Sequence, residues 1–421
     1  MAYVDDGCFW GCIRTRAVFL GCVVASLVCV PPANAASNGF ATPGISHTHG
    51  LLQLDAPKRL TVRCAYLGSD VNHESRFGTE RGIVEDAVIP EIEGALSLRG
   101  EWRLDWRLFT PFAAGTHYGT YSRGAFHSVD AHLETINFSP GLAWLGERVA
   151  LRFGPQVQLM QKAGFSQALF LPGIVGEVGD GCDVGLGFHA GAAVRLGEKA
   201  EVSAGVWSEI DHDLHGGRLH VTPWDLVELP LGKTECSITT PTVAAIRLQV
   251  DQTHDLQWWA SAEFTNWKNS LRDITVGYDL PVLPDTVVRL DAKDTWFFDI
   301  GTAWHIQDTP WTLSAGLGYG TCFVSDERRH PSLLGFPFWQ IEAGIRHALP
   351  NGVEVFADGR LIECGDDNPS QLGGVAFPYG FPWGTFAGSL PGDYDATVWL
   401  LEAGISIPLA FHSETGSSVG Q

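Results

Sequence analysis

Helix formers, long apolar runs and positive charge are all scarce in this chain of 421 residues. Methionine occurs only twice and charged residues make up 18%, against forty-nine glycines and 11% aromatics, a balance that favours strands and turns over helices. Apart from one N-terminal run, no uncharged apolar stretch approaches the roughly 18 residues a membrane-crossing helix needs, so a helical membrane protein is excluded. Lys and Arg number 27 against 48 Asp and Glu. The resulting net charge of −21 argues against a phosphate-binding surface, and no nucleic-acid partner is expected. Chemistry-bearing motifs are thin as well. No phosphate loop is present, and the histidines at His47 and His49 and at His212, His215 and His220 lack metal-ligand spacing, so no enzyme, cofactor or metal is expected.

The N-terminal exception reads "RTRAVFLGCVVASLVCVPPANAAS". Arg14 and Arg16 precede an apolar run from Ala17 to Val30, and Ala33-Asn34-Ala35 forms a small-x-small site. Residues 1–35 are therefore expected to be a signal peptide cleaved after Ala35. Asp5 and Asp6 are unusual ahead of such a run and suggest a start further downstream; lipid attachment at Cys22 or Cys29 is the alternative. Five cysteines, Cys64, Cys182, Cys236, Cys322 and Cys364, remain in a chain sent to an oxidising space.

What is abundant is alternation. In "EWRLDWRLF" (101–109), Trp102, Leu104, Trp106 and Leu108 share one side of an extended chain, and Arg103, Asp105 and Arg107 the other. "VALRFGPQVQL" (149–159), "LQWWASAEF" (256–264) and "WQIEAGIRHAL" (339–349) repeat the pattern over lengths beyond the usual five or six residues of a strand. Short turns at 99–101, 146–148, 197–199, 253–255, 307–310 and 350–352 alternate with long connections, giving fourteen strands from Arg59 to Phe411. Long strands in even number, short turns at one end and long loops at the other describe an all-β, transmembrane antiparallel barrel in the bacterial outer membrane, in contact with membrane lipid. A soluble sandwich is the competing fold. Three features count against it: Trp and Phe near strand ends as in "TWFFDIGTAW" (295–304), a small, charged, glycine-bearing inner set, and a last strand ending in Phe411 with the spacing by which barrel-assembly machinery receives its clients. The expected layout is 36–58 before the barrel, 59–411 as the barrel and 412–421 as a tail.

The segments "LFTPFAAGTHYGTY" (108–121), "FSPGLAWLGERVALRFGPQVQL" (138–159), "WASAEFTNWKNSLRDITV" (259–276) and 294–349 make an ordered set that resembles the FadL/TodX family of outer-membrane transporters for long-chain fatty acids and hydrocarbons. The resemblance covers about Val88 to Phe411. It implies an apolar groove at the outer loops, an N-terminal hatch in the lumen and a lateral opening at a kinked third strand. The family's Asn-Pro-Ala hatch step is absent from residues 36–58; either this short segment is the plug or gating differs.

On that layout, the outer connections hold too much apolar surface for exposed loops. Phe165, Leu169, Phe170, Leu171 and Ile174 are expected on a short amphipathic helix ending near Pro172, and Phe377, Tyr379, Phe381 and Trp383 on a stiff Pro/Gly loop. Together they either form a greasy ligand cleft or cap the barrel by packing on each other. Arg103, Arg107 and Arg152 are candidates to hold a fatty-acid carboxylate, the competing role being ion pairs with lumenal acids. Pro111 cannot donate to a ladder, so Phe109, Pro111, Phe112 and Gly115 are candidates for the lateral opening, or else the strand ends there. The outer-end cysteines favour pairs Cys182–Cys236 and Cys322–Cys364, with a zinc site competing and Cys64 left over. Passive uptake of long-chain fatty acids or similar hydrophobic molecules is the expected function; a weakly selective porin and a barrel-mounted adhesin are the alternatives.

Overall fold

In the computed structural model the period-two alternation sorts side chains between two faces of one continuous wall. The structure describes residues 47, 50–54, 58–75, 78–84, 86–118, 130–168, 174–223, 229–270, 273–279, 286–289, 292–324, 335–364 and 393–409. The segments are β1 (Arg59–Ser75), β2 (Gly78–Arg81), β3 (Ala87–Ser97), β4 (Trp102–Phe109), β5 (Ala113–His117), β6 (Asp130–Leu145), β7 (Val149–Ala168), β8 (Ile174–Leu196), β9 (Ala200–Trp207) and β10 (Ile210–Pro223). They continue with β11 (Leu229–Thr240), β12 (Val243–Asp251), β13 (Leu256–Thr265), the single-turn α1 (Trp267–Ser270), β14 (Asp273–Tyr278), β15 (Thr286–Arg289), β16 (Thr295–His305), β17 (Trp311–Gly320), β18 (Phe338–Ala348), β19 (Glu354–Cys364) and β20 (Asp393–Pro408). Several are halves of one broken strand: β4/β5, β9/β10, β11/β12, β13/β14 and β15/β16, with β2 an extension of the first hairpin. Fourteen antiparallel wall strands result. Closure comes from β1 pairing with β20 from Arg59↔Pro408 to Glu74↔Asp393, which joins the first strand of the sheet to the last.

The outer face is apolar along its length. On β16, Trp296, Phe298, Ile300 and Trp304 are exposed, while Thr295, Phe297 and Gly301 are buried. Trp102, Trp258, Trp304 and Trp311 lie near the short turns, and Trp296 and Trp339 toward the far end. From Trp296 to Trp304 is about 27 Å of strand, or about 21 Å of height at a tilt near 40°, close to the apolar band of a membrane barrel. The expected girdles are present.

The inner face is polar and crowded. Trp259 donates through Nε1 to Asp299 Oδ2 at 2.7 Å and lies 5.3 Å beneath the Arg247 guanidinium. Ser261 hydrogen-bonds the other oxygen of Asp299. Gly301 is required here, because a side chain at that position would collide with the Trp259 ring.

Two expectations are corrected. The two flanks of the expected amphipathic helix are extended: Phe165 is in β7, opposite Ala131 and Val178, and Ile174 begins β8 opposite Pro223, while Leu169, Phe170 and Leu171 lie outside the described residues. Phe165 and Ile174 thus belong to a hairpin longer than the apolar band. No disulfide joins the five described cysteines. Cys182 lies within β8 opposite His215, and Cys236 within β11 opposite Leu214, so the whole of β10 separates them. Two strand spacings, about 10 Å, exceed the reach of a disulfide. Cys364 ends β19 opposite Phe338 of β18, and Cys322 follows β17, the other neighbour of β18.

Substituting arginine on the two faces of β16 should have opposite consequences. Ile300→Arg, at mid-height on the lipid face, is expected to cost about 2–4 kcal/mol, whereas Ala303→Arg, facing the lumen, should cost under about 1 kcal/mol by the same depth-and-face argument. Urea titration of the barrel folded into vesicles, read by its heat-dependent gel mobility, compares the two; equal losses would contradict the assigned faces.

Candidate functional site

The lumen divides into two chemically distinct levels. Toward the short turns lies a cavity of about 720 Å³ whose lining includes eight arginines and seven carboxylates. Alternation places them there: Arg103, Asp105 and Arg107 are the inward residues of β4, as Glu342 and Arg360 are of β18 and β19. Most are mutually neutralised. Arg103 Nε is 2.6 Å from Asp105 Oδ1, Arg107 Nε is 2.7 Å from Glu91 Oε1, and Arg63 reaches Glu93 at 2.5 Å.

Residues 50–54 run inside the barrel along its β4–β9 side, with Gly50–Gln53 in the lining of this cavity. Arg152 donates through Nη2 to the carbonyl oxygen of Gly50 at 2.6 Å, and the Leu54 amide donates to the Glu201 carboxylate at 3.3 Å. Leu52 and Leu54 pack on Ala143, Ala150 and Ala193 of the wall, whose small side chains leave them room. His47 sits among rings, 5.0 Å from Trp207, 5.7 Å from Phe109 and 6.2 Å from Phe112. Burial there, with the Arg107 charge nearby, pushes the imidazole down to about 3. It is uncharged at neutral pH, so its 3.9 Å approach to Glu263 is not an ion pair.

Above this segment the lumen is apolar. Leu51, Phe112, Met160, Trp207, Trp267 and Phe323 belong to one buried cluster, with Trp267 5.6 Å from Phe112 and 5.5 Å from Phe323. The inward turn α1 exists to deliver Trp267; its Ser270 hydroxyl folds back on the carbonyl oxygen of Asn266.

Beside this cluster the ladder is incomplete. β3 pairs with β4 only from Ile92↔Leu108 to Ser97↔Arg103. Its upper part, Ala87–Glu91, pairs with β1 alone, and β5 pairs with β6 alone. Thr110, Pro111 and Phe112 make the break: Phe112 turns inward, its carbonyl oxygen accepting from the Thr135 amide at 3.0 Å and from the Thr135 hydroxyl at 2.8 Å, and its amide donating to that hydroxyl at 3.2 Å. The His117 amide closes the top of the gap on the Ile83 carbonyl oxygen at 2.8 Å. Prolines stand on both banks, Pro90 and Pro111, and neither can donate to a ladder.

The candidates from the sequence fall into three groups. Phe109, Pro111, Phe112 and Gly115 are buried together at this break. Arg103 and Arg107 lie below it, engaged with acids, and Arg152 lies across the lumen on Gly50. Leu169, Phe170, Leu171, Phe377, Tyr379, Phe381 and Trp383 lie outside the described residues, and Phe165 and Ile174 are placed only by their backbone. Pro90, Glu91 and Trp267 were not anticipated. A proline inside "AVIPEIEGALS" was the available signal for the first; nothing local announces that Trp267 turns inward.

The model for "Outer membrane protein transport protein (OMPP1/FadL/TodX)" matches residues 53–333, two-thirds of the chain. Among solved structures, a Pseudomonas aeruginosa FadL homologue superposes with a TM-score of 0.71 at 15% identity, covering 84% of this chain and 91% of that one. The Pseudomonas putida toluene transporter TodX gives 0.61 at 12%, covering 85% and 91%. The Ralstonia pickettii toluene transporter TbuX gives 0.60 at 12%, covering 84% and 90%. No curated protein sequence matches. With that family model spanning two-thirds of a closed fourteen-stranded wall, the chain belongs to the FadL/TodX family of outer-membrane transport proteins.

Proposed function

We propose that this chain passes hydrophobic small molecules, long-chain fatty acids or apolar compounds of similar size, from the cell exterior into the apolar upper lumen and releases them sideways through the wall beside β5. The observation that carries this reading is the missing ladder between Ala87–Glu91 and β5, which adjoins the buried cluster around Phe112. A sideways exit suits the ligand better than the lumen does. The lower cavity would surround an alkyl chain with fifteen ionisable groups, whereas apolar contacts yield about 0.8 kcal/mol per methylene. Residues 50–54 inside the lumen also weigh against a general porin and serve as the short hatch. Capture falls to the outer connections carrying Phe165, Leu169–Leu171, Ile174 and the aromatics of 377–383. Arg103 and Arg107 are already paired with Asp105 and Glu91, so a carboxylate would have to displace a buried partner, at a cost of several kcal/mol. Two of the structural neighbours are toluene transporters, and the pairing favours an uncharged ligand here as well.

Two measurements test this. Filling the gap with Gly115→Trp should lower uptake of labelled hexadecane by cells carrying the folded barrel by at least about tenfold, the size of one lost well-packed contact. Narrowing the lower cavity with Thr312→Trp should leave uptake within about twofold. The reverse ranking would place the route through the lumen.

The second measurement concerns the hatch. His47 titrates near 6.5 when exposed and near 3 when seated against Phe109, Phe112 and Trp207. Its seated value is the lower one, so the hatch is unaffected above pH 6.5 and loosens progressively as pH falls from 6.5 toward 3. Ion conductance through the barrel in planar bilayers should therefore rise between pH 7 and pH 4. His47→Leu removes the imidazole while leaving Glu263 and Arg107, and should flatten that rise; a rise unchanged in the variant would assign it to other groups.

A further inference from the structure

A second buried cluster lies on the β1 side of the gap. Tyr118 and Tyr394 share a hydroxyl–hydroxyl hydrogen bond of 3.0 Å, and the His73 ring stands 4.7 Å from that of Tyr394. Glu80 of β2 faces His73 across the hairpin, and Thr116 is next to the His117 amide that closes the gap. Leu67, Val71, Ile83, Phe336 and Val398 surround the group with apolar surface. His73 and Thr116 are each only 1% exposed, yet His73 Nε2 and Thr116 Oγ1 meet no hydrogen-bond partner among the described residues. Buried polar groups are rarely left so, and two such groups around the Tyr118–Tyr394 pair, beside a wall opening, call for a group from outside the chain.

We infer that His73 and Thr116 hold an uncharged hydroxyl group at one end of the transported molecule, which makes a long-chain alcohol or an alkylphenol the preferred ligand class. This rests on the sideways-release reading above and adds a head-group preference to it. Imidazole and threonine hydroxyl can each donate or accept, and a ligand hydroxyl, itself donor and acceptor, matches either. A carboxylate is disfavoured: Glu80 and, at the end of β20, Asp393 place negative charge beside His73, while the neighbouring Arg81 is exposed. A plain hydrocarbon leaves both groups unsatisfied. Arg103, Arg107 and Arg152 play no part in this recognition.

The test compares hexadecane, 1-hexadecanol and palmitate, three head groups on one chain length, as labelled substrates for uptake by cells making the full-length protein. 1-Hexadecanol is expected to exceed hexadecane about tenfold, the worth of one net hydrogen bond, and to exceed palmitate. His73→Phe keeps a ring against Tyr394 and removes the hydrogen bond; it and Thr116→Val should each bring the alcohol-to-hydrocarbon ratio toward one. His73→Gln, which retains a donor and an acceptor, should restore the preference. A ratio that survives both His73→Phe and Thr116→Val, or palmitate taken up faster than 1-hexadecanol, would overturn the head-group assignment alone. Uptake of none of the three, or hexadecane uptake indifferent to Gly115→Trp, would overturn the sideways-release reading and this assignment with it.

Discussion

In hydrocarbon there is no water to satisfy a backbone amide or carbonyl, and each one left bare costs several kcal/mol. Closure of β1 on β20 follows from this constraint, and it makes every interruption of the ladder conspicuous. Most interruptions are repaired from inside. In the register of β6 and β7, Pro140 falls opposite Pro155, so neither strand can donate there. His189 reaches over Gly154 to hydrogen-bond the Pro140 carbonyl oxygen at 3.0 Å, and the Gln156 side chain donates through Nε2 to the Phe188 carbonyl oxygen at 2.7 Å. Where β9 gives way to β10, the Ser208 hydroxyl accepts from the Phe188 amide; where β11 gives way to β12, Thr242 accepts from Glu209 and Asn266. The break between β3 and β5 has a bond at its top and a ladder at its bottom, with two prolines between.

The charged lower lumen depends on the same wall. A carboxylate or guanidinium facing inward is tolerable because its neighbours on adjacent strands carry the opposite sign, as Arg63 of β1 does with Glu91 and Glu93 of β3 and Glu402 of β20. Alternation alone brings such pairs together, since the strand register holds their side chains on one face. The consequence for transport is negative selection. A chamber of compensated charges neither attracts a fatty-acid head strongly nor dissolves its tail.

Much of this was written in the chain's periodicity. Trp102, Leu104, Arg103 and Asp105 declare their faces without any tertiary information, because a strand has only two. The break at Thr110–Phe112 was also visible, since a proline in a long alternating run has a direct physical meaning. Features set by lateral order were not legible. Cys182 and Cys236 looked like neighbours on adjacent loops, but strand breaks moved both into the wall with β10 between them. The helical placing of Phe165 and Ile174 failed because both suit a long hairpin as well as a helical face, and length beyond the membrane has no local signature. His73 and Thr116 gave no sign at all; they acquire meaning only when β1, β2, β5 and β20 converge.

That convergence turns on three residues. Were Thr110, Pro111 and Phe112 to continue β4, the upper third strand would pair with Ala87–Glu91, the wall would be complete, and Phe112 would not reach Trp267. Because they turn inward, the short run from Phe112 to Tyr118 belongs at one end to the cluster of Trp207, Trp267 and Phe323 and at the other to that of Leu67, Phe336 and Tyr394. The two apolar clusters of the upper lumen are thus bridged by the same chain segment that leaves the ladder open. A molecule dissolved in either cluster is already beside the opening, and the charged floor below gives it no lower-energy route. On the proposed sideways route, the kink of the third strand thereby sets the direction of release as well as its location.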